Sequence, residues 1–274
     1  PAVNQAISIG TALAISGAAA SPNMGYHSSP PVTMLLTLFN VRLGWWLGNP
    51  GKAGQATYGR SCPEFSVGPL LAEAFGFTDD QKRYVYLSDG GHFENLGLYE
   101  MVLRRCQIII VSDAGCDQQS GFSDLGNAIR KIRIDLGVEI EIDVDRLRQK
   151  NGTHQSEWHH GIGAVRYDLV DPGAPKGLLI YLKPSLTGDE PPDVQDYARR
   201  NPDFPHESTA DQFFDESQFE SYRKLGAHIV HEVFDETMSN PARKEGRLFE
   251  DLRGHWASRA AQENQPRPTP SVPR

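Results

Sequence analysis

The run RYVYLSDGGHFENLGLYEMVLRRCQIIIVSDAG, residues 83–115, decides the reading of the fold. Tyr84 to Ser88 is a β-branched and aromatic stretch that halts at Asp89-Gly90-Gly91, the pattern of a strand entering a tight loop. Leu98, Met101 and Val102 then recur at helical spacing, and the segment closes on Arg104 and Arg105, cations suited to a helix C-terminus. Ile108 to Val111 is continuously apolar, the mark of a strand buried on both faces as in parallel sheets. Working outward, Ser123 is predicted to cap a helix whose stripe is Leu125, Ile129, Ile132 and Leu136, with Gly137 just past its end. Val138, Ile140, Ile142 and Val144 alternate with Glu139, Glu141 and Asp143, which predicts a half-exposed strand near a sheet edge. Strand, helix, strand, helix, strand with short connections predicts an α/β layer with parallel strands and right-handed crossovers. Function is then expected at the carboxyl ends of strands, where Asp89 and Asp113 stand.

Downstream, the polar segment Gln149 to His160 is expected to be an exposed loop. Gly163 to Val170 and Leu178 to Leu182 are β-rich and flank Asp171-Pro172-Gly173, which predicts a hairpin. Pro191 to Pro205 is rich in Pro and Asp and is expected to wrap the surface. Thr209 and Gln212 have capping-box spacing, and Tyr222, Leu225, Ile229 and Val233 predict a C-terminal helix packed on the core. From Gly254 the composition shifts to Arg, Gln, Pro and Ser, so residues 254–274 are expected to be a disordered tail. Near the start, Val32 to Gly48 is apolar but is interrupted by Asn40 and Arg42. It reads as buried helix or loop rather than a membrane span. Pro1 to Ala20 lacks the positive flank of a signal peptide.

The 274 residues carry 27 Lys and Arg against 35 Asp and Glu, a net charge of −8. That balance argues against a nucleic-acid binder, which concentrates basic residues on one face. With 39% hydrophobic and 23% charged residues the chain has material for a buried core. Cys62, Cys106 and Cys116 have neither a disulfide count nor a zinc spacing, so no metal is expected from them.

Two segments carry candidate chemistry. The first is Leu87-Ser88-Asp89-Gly90-Gly91-His92-Phe93-Glu94-Asn95: an aspartate at a strand end, followed by glycines that admit close approach, suits a group that orients or deprotonates a nucleophile. Asp-Gly and Gly-Gly are also ordinary turn dipeptides. The second is Ala14 to Pro22, in which small residues around Ser16 imitate a nucleophile elbow, although Ala14 and Ala18 replace its glycines. An Ala-rich helix start packed tightly on the sheet is the plainer account of it.

Together these segments resemble the patatin-like phospholipase family, related to cytosolic phospholipase A. Ser16, Gly17, Ala18, Ala20 and Pro22 look like the family's small-residue segment downstream of the nucleophile. Asp89, Gly90, Gly91 and Asn95 match its Asp-Gly-Gly/Ala-x-x-x-Asn motif. Tyr84 to Asp117, with His206-Glu207-Ser208-Thr209 and Asp211 to Phe214, is similar to a large bacterial branch, so the resemblance reaches about Phe234. It implies an α/β three-layer sandwich with a mainly parallel central sheet, residues 1–240 forming the C-terminal part of the hydrolase domain. It also implies hydrolysis of lipid esters by a Ser-Asp dyad without a cofactor, with Asp89 as the base. No GxSxG or glycine-rich oxyanion loop occurs in the sequence, so the nucleophile is expected upstream of residue 1, and the chain alone is expected to be inactive. A catalytically silent binding module on the same fold is the alternative.

Ser16, Pro22 and His92 are candidate pocket-lining residues, and His27 stands near the small-residue segment. Asp113, Cys116 and Asp117 follow the second strand and are expected to cap or line the same sheet edge as Asp89. A third reading, a metal-dependent hydrolase built on Asp89, Asp113 and nearby histidines, has no motif behind it. His159 and His160 are placed in a polar loop, and His228 and His231 on an exposed helix face in an order that is not the zincin HExxH. The partner is expected to be a lipid ester, reached at a membrane surface or in solution, and not nucleic acid.

Overall fold

The computed structural model describes residues 8–18, 30–39, 43–150, 153–211, 213–238 and residue 254. The chain forms two compact units, Pro1–Asn95 and Leu96–Arg274. Pro22, His27, Gln212 and the expected tail after residue 254 lie outside the described residues.

The first unit contains α1 (Ile9–Ser16), α2 (Pro30–Leu38), β1 (Trp45–Gly48), a 3-10 turn at Lys52–Gly54, α3 (Val67–Ala74), β2 (Tyr84–Leu87) and a 3-10 turn at Gly90–His92. β1 and β2 form an antiparallel ribbon with Trp45 opposite Leu87 and Gly48 opposite Tyr84. Two strands alone are marginally stable, and polar contacts reinforce this pair. Trp46 Nε1 donates to Glu73 of α3 at 2.5 Å, and the Asn49 amide donates to the carbonyls of Asp80 and Lys82 at 2.7 and 2.6 Å. The apolar stretch from Val32 onward was expected to be buried, yet Met34 and Leu35 of α2 are exposed. α2 packs against α3, with Met34 and Leu35 left on its solvent side. Among the described residues no helix is long and apolar enough to cross a membrane.

The second unit contains α4 (Leu98–Leu103), β3 (Ile108–Ser112), α5 (Ser123–Leu136), β4 (Glu139–Ile142), β5 (His160–Arg166), β6 (Gly177–Leu182), α6 (Pro192–Arg200) and α7 (Glu216–Met238). Its sheet has the order β3-β6-β5-β4. β3 and β6 are parallel, with Ile108 opposite Leu178, while β6/β5 and β5/β4 are antiparallel. The fold is thus α/β with a mixed sheet. A mainly parallel sheet was expected, but β2 and β3 lie in different sheets, and the β5–β6 hairpin takes the place of a second parallel crossover. β4 is an edge strand as its alternation required: Ile140 is buried and Glu141 exposed.

The strand buried on both faces is β6, not β3. Every residue of β6 is buried, whereas β3 is an edge strand whose Ile110 is 51% exposed. Leu179 and Tyr181 point into one apolar layer with Ile109, Val111, Leu98, Val102, Leu125, Ala128 and Ile132. Leu178, Ile180 and Leu182 point into the opposite layer with Ile162, Val194, Leu225, Ile229 and Val233. The period of two in the strand therefore puts α4 and α5 on one face and α6 and α7 on the other.

Several helix ends differ from expectation. Ser123 is the first residue of α5 rather than its cap; Phe122 stands at the cap position with no side-chain cap, and the Asp117 carboxylate braces the loop before it by accepting from the Gly121 and Phe122 amides at 2.8 Å each. Gly137 sits at φ +68°, the left-handed C-terminal position that glycine takes without strain. α7 starts at Glu216, where Asp215 accepts the Gln218 amide at 2.7 Å, so Thr209 is not its cap. Within Pro191 to Pro205 the chain forms α6, with Pro192 at its first position.

Leu179→Ala is expected to destabilise the chain by about 2–5 kcal/mol, because it opens a cavity in a fully buried strand. Ile134→Ala, at a position 72% exposed, is expected to change stability by less than about 0.5 kcal/mol. Urea midpoints at constant slope measure both.

Candidate functional site

Asp89 follows β2 and opens the 3-10 turn Gly90–His92. Its side chain turns back on the chain, and Oδ1 accepts the Gly91 amide at 2.8 Å. The residue is half-buried, and among the described residues its other oxygen accepts no hydrogen bond. One oxygen is held by the backbone while the other remains available as a base. The two glycines are not equivalent. A Cβ on Gly91 would lie 2.9 Å from Asn95 Oδ1 and 3.2 Å from Asp89 Oδ1, whereas one on Gly90 would meet nothing within 4 Å. Asp89, Gly91 and Asn95 are therefore packed into one turn, and Gly90 is not sterically required there. Ser88 Oγ lies 3.1 Å from His92 Nδ1, so His92 is tied to the strand end.

The other residues named with Asp89 do not join it. Ser16 is the exposed last residue of α1, a helix end and not a strand-to-helix elbow, and no hydrogen bond joins it to Asp89 among the described residues. A cavity of about 280 Å³ in the first unit is lined by Trp45, Trp46, Cys62, Pro63 and Ser66. A larger one of about 670 Å³ in the second unit is lined by Gln155, Leu186, Gly188, Glu190, Gln195 and Arg199. Ser16 and His92, expected to line a pocket, line neither.

At the carboxyl ends of the parallel pair β3 and β6 the second unit holds a buried polar knot. Asp113 is 2% exposed. Its Oδ2 accepts from Tyr181 Oη at 2.5 Å, and its Oδ1 accepts from Lys183 Nζ at 3.0 Å and the Gly115 amide at 2.9 Å. Lys183 Nζ also donates to the Gly115 carbonyl at 2.9 Å. Burial and the Asp113 carboxylate push the Tyr181 phenol far up, so it stays a donor. Both oxygens of Asp113 are engaged, which makes this a closed structural node rather than an open base. Asp117 braces the loop before α5, and Cys116 Sγ donates to the His206 carbonyl at 3.0 Å. His206 is buried, and burial and then Lys183 hold its imidazole below the usual histidine range.

The histidine readings need correction. His159 and His160 are buried, His160 being the first residue of β5 and not part of an exposed loop. His228 of α7 is not solvated either: its Nε2 lies 3.3 Å from Asp189 Oδ1. The only sequence signal was His228 with Glu232 one helical turn later, which marks a shared face but names no partner across the fold.

Lys183→Met is expected to cost about 3–5 kcal/mol, since it leaves the Asp113 charge buried and uncompensated; denaturant titration reads the loss. The folded chain, with His206 held neutral, binds fewer protons than the unfolded chain below about pH 6.5. Its contribution to stability is therefore complete above that pH and is lost as pH falls through it. His206→Gln is expected to flatten the fall in urea midpoint between about pH 7.5 and 5.5. No family model, curated protein or solved structure matches the chain.

Proposed function

We propose that the protein is a lipid acyl hydrolase with a patatin-like three-layer arrangement, in which Asp89 serves as the base of a Ser-Asp dyad. The observation that carries this reading is the Asp89 carboxylate at the end of β2, half-buried, with one oxygen fixed by the Gly91 amide. A carboxylate so held accepts a hydroxyl proton without first losing rotational freedom. Asp89 takes the serine proton as the oxygen attacks the ester carbonyl and passes it to the alkoxide that leaves; it then takes a proton from the water that attacks the acyl-enzyme and returns it to the serine as the acyl–oxygen bond breaks. No GxSxG occurs among the 274 residues, so in this reading the serine belongs to sequence outside them. The Asp89, Gly90, Gly91 and Asn95 motif, and helices on both faces of the second unit's sheet, support the assignment. No cofactor is part of it.

Asp89→Asn separates the catalytic role from the turn. An asparagine Oδ1 can still accept the Gly91 amide, so the turn is retained while the basic oxygen is lost. In the full-length protein this change is expected to lower hydrolysis of a phospholipid or a short-chain ester by about 10²–10⁴-fold, with an unchanged melting temperature. Undiminished hydrolysis would overturn the proposal, and an inactive wild type that folds normally would favour the silent binding module. The 274 residues alone are expected to turn over no short-chain ester. Turnover abolished by Ser16→Ala would move the nucleophile to Ser16.

A further inference from the structure

Three distant segments of the second unit converge on one point. His159 lies just before β5, Asp189 in the loop after β6, and His228 on α7, and one ligand atom from each lies within 4.8 Å of the others. His159 is fully buried, and its ring stands edge-on to that of His228 with centroids 5.7 Å apart. Glu232 lies one turn beyond His228 on the same helix face, and its Oε2 is 3.2 Å from His159 Nε2.

The hydrogen bonds fix which atom of His159 faces this point. Its Nδ1 lies 3.1 Å from Ser185 Oγ, which also reaches the backbone carbonyls of Trp158 and Lys183 at 3.1 and 3.3 Å. Its Nε2 faces the Glu232 carboxylate and Thr187 Oγ1, 3.1 Å away, whose own proton is engaged by Asp189 at 2.5 Å. With its proton on Nδ1 the ring turns an Nε2 lone pair to the same point as the Asp189 and Glu232 carboxylates, a set of electron-pair donors that a cation can bridge.

We propose that His159 Nε2, His228 Nε2 and the Asp189 carboxylate form a binding site for a divalent transition-metal ion of the Zn²⁺ class, with Glu232, which stands beside His159 outside that 4.8 Å cluster, closing in as the fourth ligand. Imidazole mixed with carboxylate suits Zn²⁺, Co²⁺ or Mn²⁺, whereas Ca²⁺ and Mg²⁺ take oxygen ligands. Tetrahedral bonds of roughly 2.0–2.1 Å place ligand atoms roughly 3.3 Å apart. Two pairs already have that spacing: His228 Nε2 to Asp189 Oδ1 at 3.3 Å and His159 Nε2 to Glu232 Oε2 at 3.2 Å. Support behind the ligands is also in place. Ser185 holds the far nitrogen of His159, and Glu190 accepts the Thr187 and Gly188 amides at 2.5 and 3.1 Å, which fixes the loop that carries Asp189. An ion here ties α7 to the two loops that meet at one end of the β5–β6 pair, before β5 and after β6, so its binding energy adds to the stability of the folded unit. The site does not involve Asp89 and stands or falls separately from the hydrolase reading.

The test uses full-length protein stripped with a chelator and titrated with Co²⁺, then Zn²⁺. One equivalent of Co²⁺ is expected to give the visible absorption of a tetrahedral nitrogen–oxygen site, without a thiolate charge-transfer band, and Zn²⁺ is expected to displace it and raise the melting temperature. His228→Ala and the near-isosteric Asp189→Asn are each expected to weaken Zn²⁺ binding by about tenfold or more, while His231→Ala, on the same helix but outside the cluster, leaves it unchanged. Absence of stoichiometric binding, a thiolate band in the Co²⁺ spectrum, or equal affinity in wild type and both ligand variants would overturn the proposal. The wild-type spectrum decides the matter even where a variant fails to fold.

Discussion

The second unit depends on the burial of a single strand. Gly177 to Leu182 must be removed from water on both faces at once, because Leu179 and Tyr181 point one way and Leu178, Ile180 and Leu182 the other. Neither helical layer suffices alone: α4 and α5 cover one side, α6 and α7 the other. With roughly 1.5–3 kcal/mol from each large apolar side chain fully withdrawn from water, this strand gathers much of the unit's hydrophobic stabilisation. Its neighbours follow from that requirement. β5 reaches it through a hairpin, β3 pairs along its other margin, and the polar ends of both parallel strands close on Asp113 and Lys183.

Much of this was legible in the sequence where a local rule had no competitor. The Ile140–Glu141 alternation gave an edge strand, the stripe through Ile132 gave α5, Gly137 gave its end, and Asp171-Pro172-Gly173 gave the hairpin. What was not legible depended on which strand neighbours which. Ile108 to Val111 and Leu178 to Leu182 are both continuously apolar, and periodicity does not say which of two such runs lies at the centre. The parallel sheet was inferred from element order, but order constrains only the strands that pair, and β2 pairs with β1.

The candidate sites divide along the same line. The turn at Asp89 is written in consecutive residues, so the backbone hydrogen bond and the tight contact at Gly91 could be anticipated from Asp-Gly-Gly-x-x-x-Asn. The group around His159 is written in residues that only the finished fold brings together. Trp158-His159-His160 lies in a polar stretch and resembles loop sequence. The two histidines are buried because β5 begins at His160 and the segment after β6 folds over them, placing Ser185 and Thr187 against the His159 imidazole. Asp113 is an intermediate case: its place at a strand end was foreseen, but its lysine and tyrosine partners came from β6 and the residue that follows it.

The register of β3 against β6 has a kinetic corollary. The β5–β6 hairpin joins segments that are close in the chain, whereas Ile108 finds Leu178 only after a long stretch has been threaded into place. The entropy of closing so large a loop is recovered only once most of the partner surface exists, so chain entropy favours the hairpin with its covering helices as the first core and a late docking of β3. The carboxylate that β3 delivers to Lys183 then acts as a latch closed after the rate-limiting ascent. Its loss hastens opening of the native state far more than it delays assembly.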